Sequence, residues 1–241
     1  MAKLEGTERV NGKTSQQTNK EIFYEDLKWK ILTMKLEPGS DLDEVRLSEQ
    51  HGLSRTPVRD IFRRMAGEGF VEIIGNRGAS VATMNHKTMK EFVQTAPLIY
   101  SSVARLAVTN ATPAQVRELK RIQTKFRSST KKAQVSEMVI FNDQFHSMLG
   151  QMADNHYLAA SHQKLLIDHA RIVHTYFNRT NVKEPDLIRK GSDHHEQLIE
   201  AIDGGHVDTA VKITLEHWEL TRIQADLFVN PEPIPLELLA G

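Results

Sequence analysis

Arg55, Arg59 and Arg63 recur every four residues, so on a helix their guanidinium groups project in one direction, with Thr56 beside them. A guanidinium offers two parallel N–H donors, the fork that bridges O6 and N7 of guanine or grips a phosphate. Thr56 suits a phosphate oxygen or a thymine methyl. A second set of residues is suited to different chemistry. Asn142 and His146 stand four apart, and His195 and His217 follow among apolar neighbours such as Leu198, Ile199 and Ile213. Helical bundles assemble divalent-metal sites this way, from inward side chains on facing helices. The other outcome open to the same residues is purely structural, with each imidazole hydrogen-bonded in place.

The segment that carries the arginines has its own punctuation. Val45, Leu47 and Leu53 supply apolar positions, and Gly52 ends a short helix and turns the chain tightly. Ser54 can cap the next helix, and Pro57 fits its first turn, where a missing N–H is harmless. Val58, Ile61, Phe62 and Met65 then fall at i, i+3, i+4 and i+7, a stripe that packs on a core. After Gly67 and Gly69, Phe70 to Ile74 alternates as a strand. Gly75-Asn76-Arg77-Gly78 reads as a hairpin turn and Ala79 to Ala82 as the returning strand, which puts Arg77 at a wing tip. The pattern predicts a helix-turn-helix followed by a two-stranded wing, a device for reading DNA.

Composition fits a two-domain globular chain. Its 241 residues are 39% hydrophobic and 26% charged, with no cysteine, so disulfides and thiolate metal sites are excluded. No apolar run reaches the roughly 18 to 20 residues that span a bilayer, and the first 20 residues lack a signal-peptide core, so the expected compartment is the cytoplasm, with no membrane partner. Basic and acidic residues balance at 31 each, which argues against general coating of DNA. Any duplex binding therefore comes from local clustering: residues 54 to 82 hold five arginines against Asp60, Glu68 and Glu72.

Four regions follow from these patterns. Residues 1–20 are polar and aperiodic and predict a flexible arm; residues 21–84 form the winged helix-turn-helix domain. Residues 85–229 form an all-helical domain for effector binding and dimerisation, and 230–241 is a tail rich in proline. Within the helical part the spacing predicts helices over 86–110, 112–130, 133–152, 154–178, 184–203 and 206–228. The stripe Met138, Phe141, Phe145, Met148, Leu149 and Met152 on the third of these reads as bundle core. The fold class is mainly α: an N-terminal winged helix-turn-helix plus a C-terminal all-α bundle.

The stretch from Tyr24 to Met84 resembles the DNA-binding domain of GntR-family bacterial regulators. The resemblance rests on the Pro38-Gly39 turn, the hexapeptide Ser54-Arg55-Thr56-Pro57-Val58-Arg59 and the wing Gly75-Asn76-Arg77-Gly78. It implies DNA contacts from Arg46, Ser54, Arg55, Thr56 and Arg59, with Arg77 entering a minor groove. The C-terminal part is similar to the helical FCD effector domain of the FadR subfamily. There the family's D-x-x-x-H corresponds to Asn142 and His146, joined by His195 ahead of Leu198-Ile199-Glu200-Ala201-Ile202 and by His217. This implies a divalent metal on Asn142, His146, His195 and His217. Asparagine replaces the usual aspartate, and Asp143 points about 100° away around the helix. An amide is a poorer ligand than a carboxylate, which shifts preference towards nitrogen-loving zinc, with nickel or another transition metal as alternatives.

A metal on neutral ligands keeps its positive charge and attracts an anion, so a small organic-acid effector is expected. The Thr95 to Tyr100 stretch resembles the vanillate-regulator-like branch, which implies an aromatic acid. It carries Ala96 and Tyr100 where Arg-x-x-x-Glu is common in the family. Tyr100, Arg171 and His174 are the candidate effector contacts, with Tyr176 near them. The expected protein is a homodimeric, ligand-responsive repressor on a pseudo-palindromic operator. The rival is a metal-dependent hydrolase, since three histidines and an open position resemble catalytic zinc. That rival lacks an H-E-x-x-H base: Glu196 directly follows His194-His195, and adjacent helix positions face different ways.

Overall fold

The computed structural model describes residues 6–75, 78–178 and 185–229, and the chain divides into two units, Met1–Thr83 and Met84–Gly241. The first unit holds α1 (Gly6–Leu32), β1 (Asp41–Leu42), α2 (Glu44–His51), α3 (Arg55–Glu68), β2 (Val71–Ile73) and β3 (Ala79–Val81). Its core is the stripe Phe23, Leu27 and Ile31 of α1 set against Val58, Ile61, Phe62 and Met65 of α3, all buried. Gly52 ends α2 in the left-handed conformation at φ 60°, and its N–H closes onto the last turn, which sets the sharp angle before α3. Leu47 and Leu53 are buried at this turn, whereas Val45 is exposed.

Three features differ from the sequence expectation. Helix α1 reaches back to Gly6, across most of the stretch expected as a flexible arm. No proline interrupts residues 6 to 32, so a helix nucleated by the buried Phe23–Ile31 stripe can propagate backward through polar residues. The wing is three-stranded, in order β1-β3-β2, with Leu42 opposite Ala79 and Val71 opposite Val81, all antiparallel. A two-residue strand such as β1 is too short to show alternation. Ser54 occupies the cap position of α3 but makes no side-chain cap hydrogen bond, so its hydroxyl stays exposed. The tail over 230–241 and Asn76-Arg77 lie outside the described residues.

The second unit is a bundle of α4 (His86–Asn110), α5 (Pro113–Lys131), α6 (Val135–Ala153), α7 (His156–Phe177), α8 (Pro185–Asp203) and α9 (Val207–Val229). Reciprocal capping boxes start α4, at Asn85 and Thr88, and α5, at Thr112 and Gln115, each satisfying two end groups. Two apolar clusters fill the bundle. One joins Val103, Leu119, Phe145, Leu149, Leu198 and Ile213; the other joins Met89, Phe92, Tyr100, Leu166 and Trp218. Phe145, Leu149 and Met152 of the expected α6 stripe are buried, while Phe141 lies at the edge beneath the Lys125 ammonium, 5.5 Å from its ring centre.

One histidine shows how tightly α6 and α7 meet. Gly150 leaves room for the His162 ring: a β-carbon there would lie 2.5 Å from His162 Nδ1. Burial pushes the His162 imidazole down to about 4. The unfolded chain therefore takes up a proton near pH 6.5 that the folded chain refuses until about pH 4. This contribution is fully present above pH 6.5 and is lost as pH falls towards 4. By pH 4 it should remove ~3 kcal/mol of stability. Urea unfolding of metal-stripped protein, followed through Trp218 in a Trp29→Phe background, should fall less steeply with acid in His162→Gln.

Candidate DNA-reading face and metal centre

Helix α3 presents Arg55, Thr56, Arg59 and Arg63 on its exposed side, opposite the buried Val58, Ile61, Phe62 and Met65. Arg46 is exposed on α2. The arginines are not equivalent. Arg59 Nε donates to Glu44 Oε2 at 2.7 Å, Arg55 Nε lies 3.9 Å from Glu44 Oε1, and Arg63 reaches Asp60 at 3.2 Å. Arg64 faces elsewhere. Its guanidinium lies 3.7 Å over the Tyr24 ring and bonds Glu68 at 3.1 Å, tying α3 to α1. A cleft of about 490 Å³ opens between α3 and the wing, lined by Glu44, Arg59, Phe62, Arg63, Ile73, Gly75 and Gly78. Arg77, expected at the wing tip, is outside the described residues.

In the helical unit α6, α8 and α9 bring His146, His195 and His217 together, with their ligand nitrogens within 4.8 Å of one another. The ring centres of His146 lie 5.2 Å from those of both other histidines, and His195 and His217 are 4.8 Å apart. His146 and His195 are buried and His217 is half-buried. Nε2 of His146, Nε2 of His195 and Nδ1 of His217 are closed off from solvent with no hydrogen-bond partner among the described residues. Burial, and then the neighbouring imidazoles, holds His146 and His195 well below the ordinary histidine range, and His217 is pushed down to about 3. All three are neutral near pH 7, with lone pairs available.

The orientation of His195 is set by a residue that the sequence reading passed over. Gln123 Nε2 donates to Ser192 O at 3.0 Å, Ser192 Oγ at 3.1 Å and Glu196 Oε1 at 3.2 Å, which turns its carbonyl oxygen to His195 Nδ1 at 3.0 Å. His195 therefore carries its proton on Nδ1 and leaves the Nε2 lone pair facing inward. Phe145 stacks on the ring at 3.8 Å and Phe126 lies at 5.2 Å, which removes the remaining freedom. The available signal was a polar residue on an apolar face: Gln123 shares its side of α5 with Val116, Leu119 and Phe126. Three inward, unpartnered, neutral nitrogens fit a divalent transition ion, whereas a purely structural trio would leave each nitrogen without its hydrogen bond.

Asn142 is buried one turn before His146 and shares a cavity with His169, His217 and Tyr176; Asp143, next to it, is half-buried. A second cavity, where residues from both apolar clusters meet, is lined by Tyr100, His146, His162, His169, Thr214 and Trp218 among others. Tyr100 Oη and Thr214 Oγ1 are buried there without a hydrogen-bond partner among the described residues. His169 borders both cavities, and its Nε2 lies 3.2 Å from Thr221 Oγ1. Of the expected effector contacts, only Tyr100 lines this space. Arg171 is fully buried with its guanidinium 3.8 Å from Asp168, and His174 is half-buried; neither borders either cavity. Helical phase explains this. Arg171 and His174 follow His169 by two and five residues, about 200° and about 140° around α7, whereas His162 precedes it by seven and shares its face.

Comparison with known proteins agrees with both halves. Residues 19–81 match bacterial regulatory proteins of the gntR family, and residues 97–220 match the FCD domain. The HTH-type transcriptional repressor RspR of Escherichia coli strain K12 is 26% identical over 202 residues, covering 82% of this chain and 85% of that protein. The HTH-type transcriptional regulator McbR of the same strain is 22% identical over 177 residues, covering 73% and 79%. The solved structure of E. coli McbR/YncC shares the fold at a TM-score of 0.70 and 20% identity, covering 86% of this chain and 98% of that one. A GntR transcriptional regulator from Rhodococcus sp. RHA1 does so at 0.66 and 15%, covering 88% and 99%. These families and relatives are transcriptional regulators, which sets aside the hydrolase alternative. Among the described residues no helix is long and apolar enough to cross a membrane. With a helix-turn-helix in its N-terminal unit and the buried histidine cluster in its helical unit, the chain belongs to the GntR family of bacterial transcriptional regulators and carries an FCD domain.

Proposed function

We propose that this regulator is a homodimeric repressor whose helical unit holds one divalent transition metal, with zinc the best match, and responds to a small carboxylate. The observation that carries this reading is the trio of buried, unpartnered imidazole nitrogens of His146, His195 and His217, within 4.8 Å of one another. Asn142, one helical turn from His146, is the proposed fourth protein ligand through its amide oxygen. A bound ion would supply a Lewis-acidic anchor for a carboxylate oxygen. Every protein donor in that set is neutral, so the ion's charge is not cancelled, and among the described residues no lysine or arginine borders either cavity. Tyr100 Oη and Thr214 Oγ1 favour an effector with a polar group away from its carboxylate.

Two copies would place two α3 helices on adjacent half-sites, and Arg46, Ser54, Arg55, Thr56, Arg59 and Arg77 are the proposed contacts to phosphates and base edges. The effector acts only through its differential affinity for arrangements of the dimer that fit or miss the operator. The repressor RspR is a relative that supports the direction of control.

Elemental analysis of protein purified without chelator should find about one transition-metal ion per chain, and His195→Ala should abolish it. Gln123→Leu should weaken metal affinity by about 10- to 100-fold while leaving the three ligands in place. Asn142→Asp should strengthen it. A histidine trio that stays metal-free after loading with zinc or nickel overturns the metal reading. For DNA, Arg55→Ala and Arg59→Ala should each weaken specific binding by about 1 to 3 kcal/mol in anisotropy titrations if each makes a bidentate base contact. Unchanged binding by both variants removes α3 as the reading helix.

A further inference from the structure

The arginines of the reading face meet acids from two helices, Asp60 of α3 itself and Glu44 of α2. Glu44 stands in the first turn of α2, yet its carboxylate reaches across to α3 and is only 15% exposed, while the arginines around it are more than half exposed. It bonds Arg59 Nε at 2.7 Å and lies 3.9 Å from Arg55 Nε, so a single acid spans two arginines one turn apart. It also lines the cleft between α3 and the wing, together with Arg59 and Arg63. An acid at a surface that must meet phosphate opposes binding, and its placement needs a physical reason.

We infer that Glu44 is a specificity-determining positioning residue, which holds Arg59 through Nε so that its two terminal nitrogens alone face a base edge; this rests on α3 being the DNA-reading helix. Two consequences follow from the geometry. A guanidinium engaged at Nε has lost much of its rotational freedom before DNA arrives, so less ordering is left to be lost on binding. Its remaining donors are the NH1 and NH2 pair, which matches O6 and N7 of guanine. At the same time the carboxylate partly neutralises Arg59 and Arg55, which lowers the attraction of this face for phosphates of any sequence. Glu44 therefore raises the ratio of specific to non-specific binding by acting on both terms. Neighbouring Arg63 is paired with Asp60 on its own helix and lies outside this clamp.

The test uses the full-length protein and a randomised duplex library from which wild type, Glu44→Gln, Glu44→Asp and Arg59→Ala each select preferred sequences. A fixed duplex lacking the selected sequence measures non-specific affinity across a salt series. Glu44→Gln should relax base preference at the same positions as Arg59→Ala. Unlike Arg59→Ala, it should bind the fixed duplex about threefold or more tightly at low salt, with a steeper salt dependence. Glu44→Asp keeps the charge but shortens the reach, so it should relax base preference without that gain. A structural role alone would lower thermal stability and would not raise non-specific affinity. The inference is overturned if Glu44→Gln selects the wild-type sequence with unchanged non-specific binding. It is also overturned if the variant alters a position that Arg59→Ala leaves intact, which would make Glu44 a direct base contact. If wild type itself selects no sequence, the DNA-reading assignment of α3 fails first, and that outcome is distinct from both.

Discussion

A buried imidazole nitrogen without a hydrogen bond is costly, and among the described residues the helical unit gathers three histidines that each carry one, His146, His195 and His217. That constraint organises much of what surrounds them. Gln123 must be turned by Ser192 and Glu196 so that it accepts from His195 Nδ1, and Phe145 and Phe126 must flank the ring so that it cannot rotate to find another partner. The three histidines come from three helices, so the local arrangement holds only while α6, α8 and α9 keep their packing around Leu149, Leu198 and Ile213. Under the proposed reading, a metal ion would repay this cost and make the unit sensitive to what binds beside it.

The DNA-reading unit handles charge in the opposite way. Arg59, Arg63 and Arg64 stay at the surface and each has a specific acidic neighbour, Glu44, Asp60 and Glu68 respectively. Exposed ion pairs of this kind contribute little to stability. Their consequence is geometric, because they set where each guanidinium points and how much of its charge the surroundings feel. Arg64 shows the distinction: stacked on Tyr24, it serves the contact between α1 and α3, while its neighbours on the other side of the helix remain available to DNA.

Much of this architecture was legible in the residues. Gly52 and Pro57 mark the turn and the start of α3, the period of Val58 to Met65 phases it, and the same logic bounds all six helices of the bundle to within two residues. What escaped has a common cause. Strand β1 is defined by pairing with β3 and has no local pattern, and α1 extends to Gly6 through residues with no apolar period. Arg171 and His174 look like pocket residues by type alone, but the phase of α7 turns them away and brings His162 and His169 to the cavity instead.

Local patterns of residue type and spacing determined the class of the molecule, the bounds of helix α3 with its row of arginines, and the three candidate histidines, because helical period, glycine turns and caps act over a few residues. Tertiary structure alone decided that the histidines converge, that Gln123 selects the tautomer of His195, and that Glu44 clamps Arg59 across fifteen residues of chain. Those relations join separate helices, and the distance between helices is a property of packing that no single segment encodes.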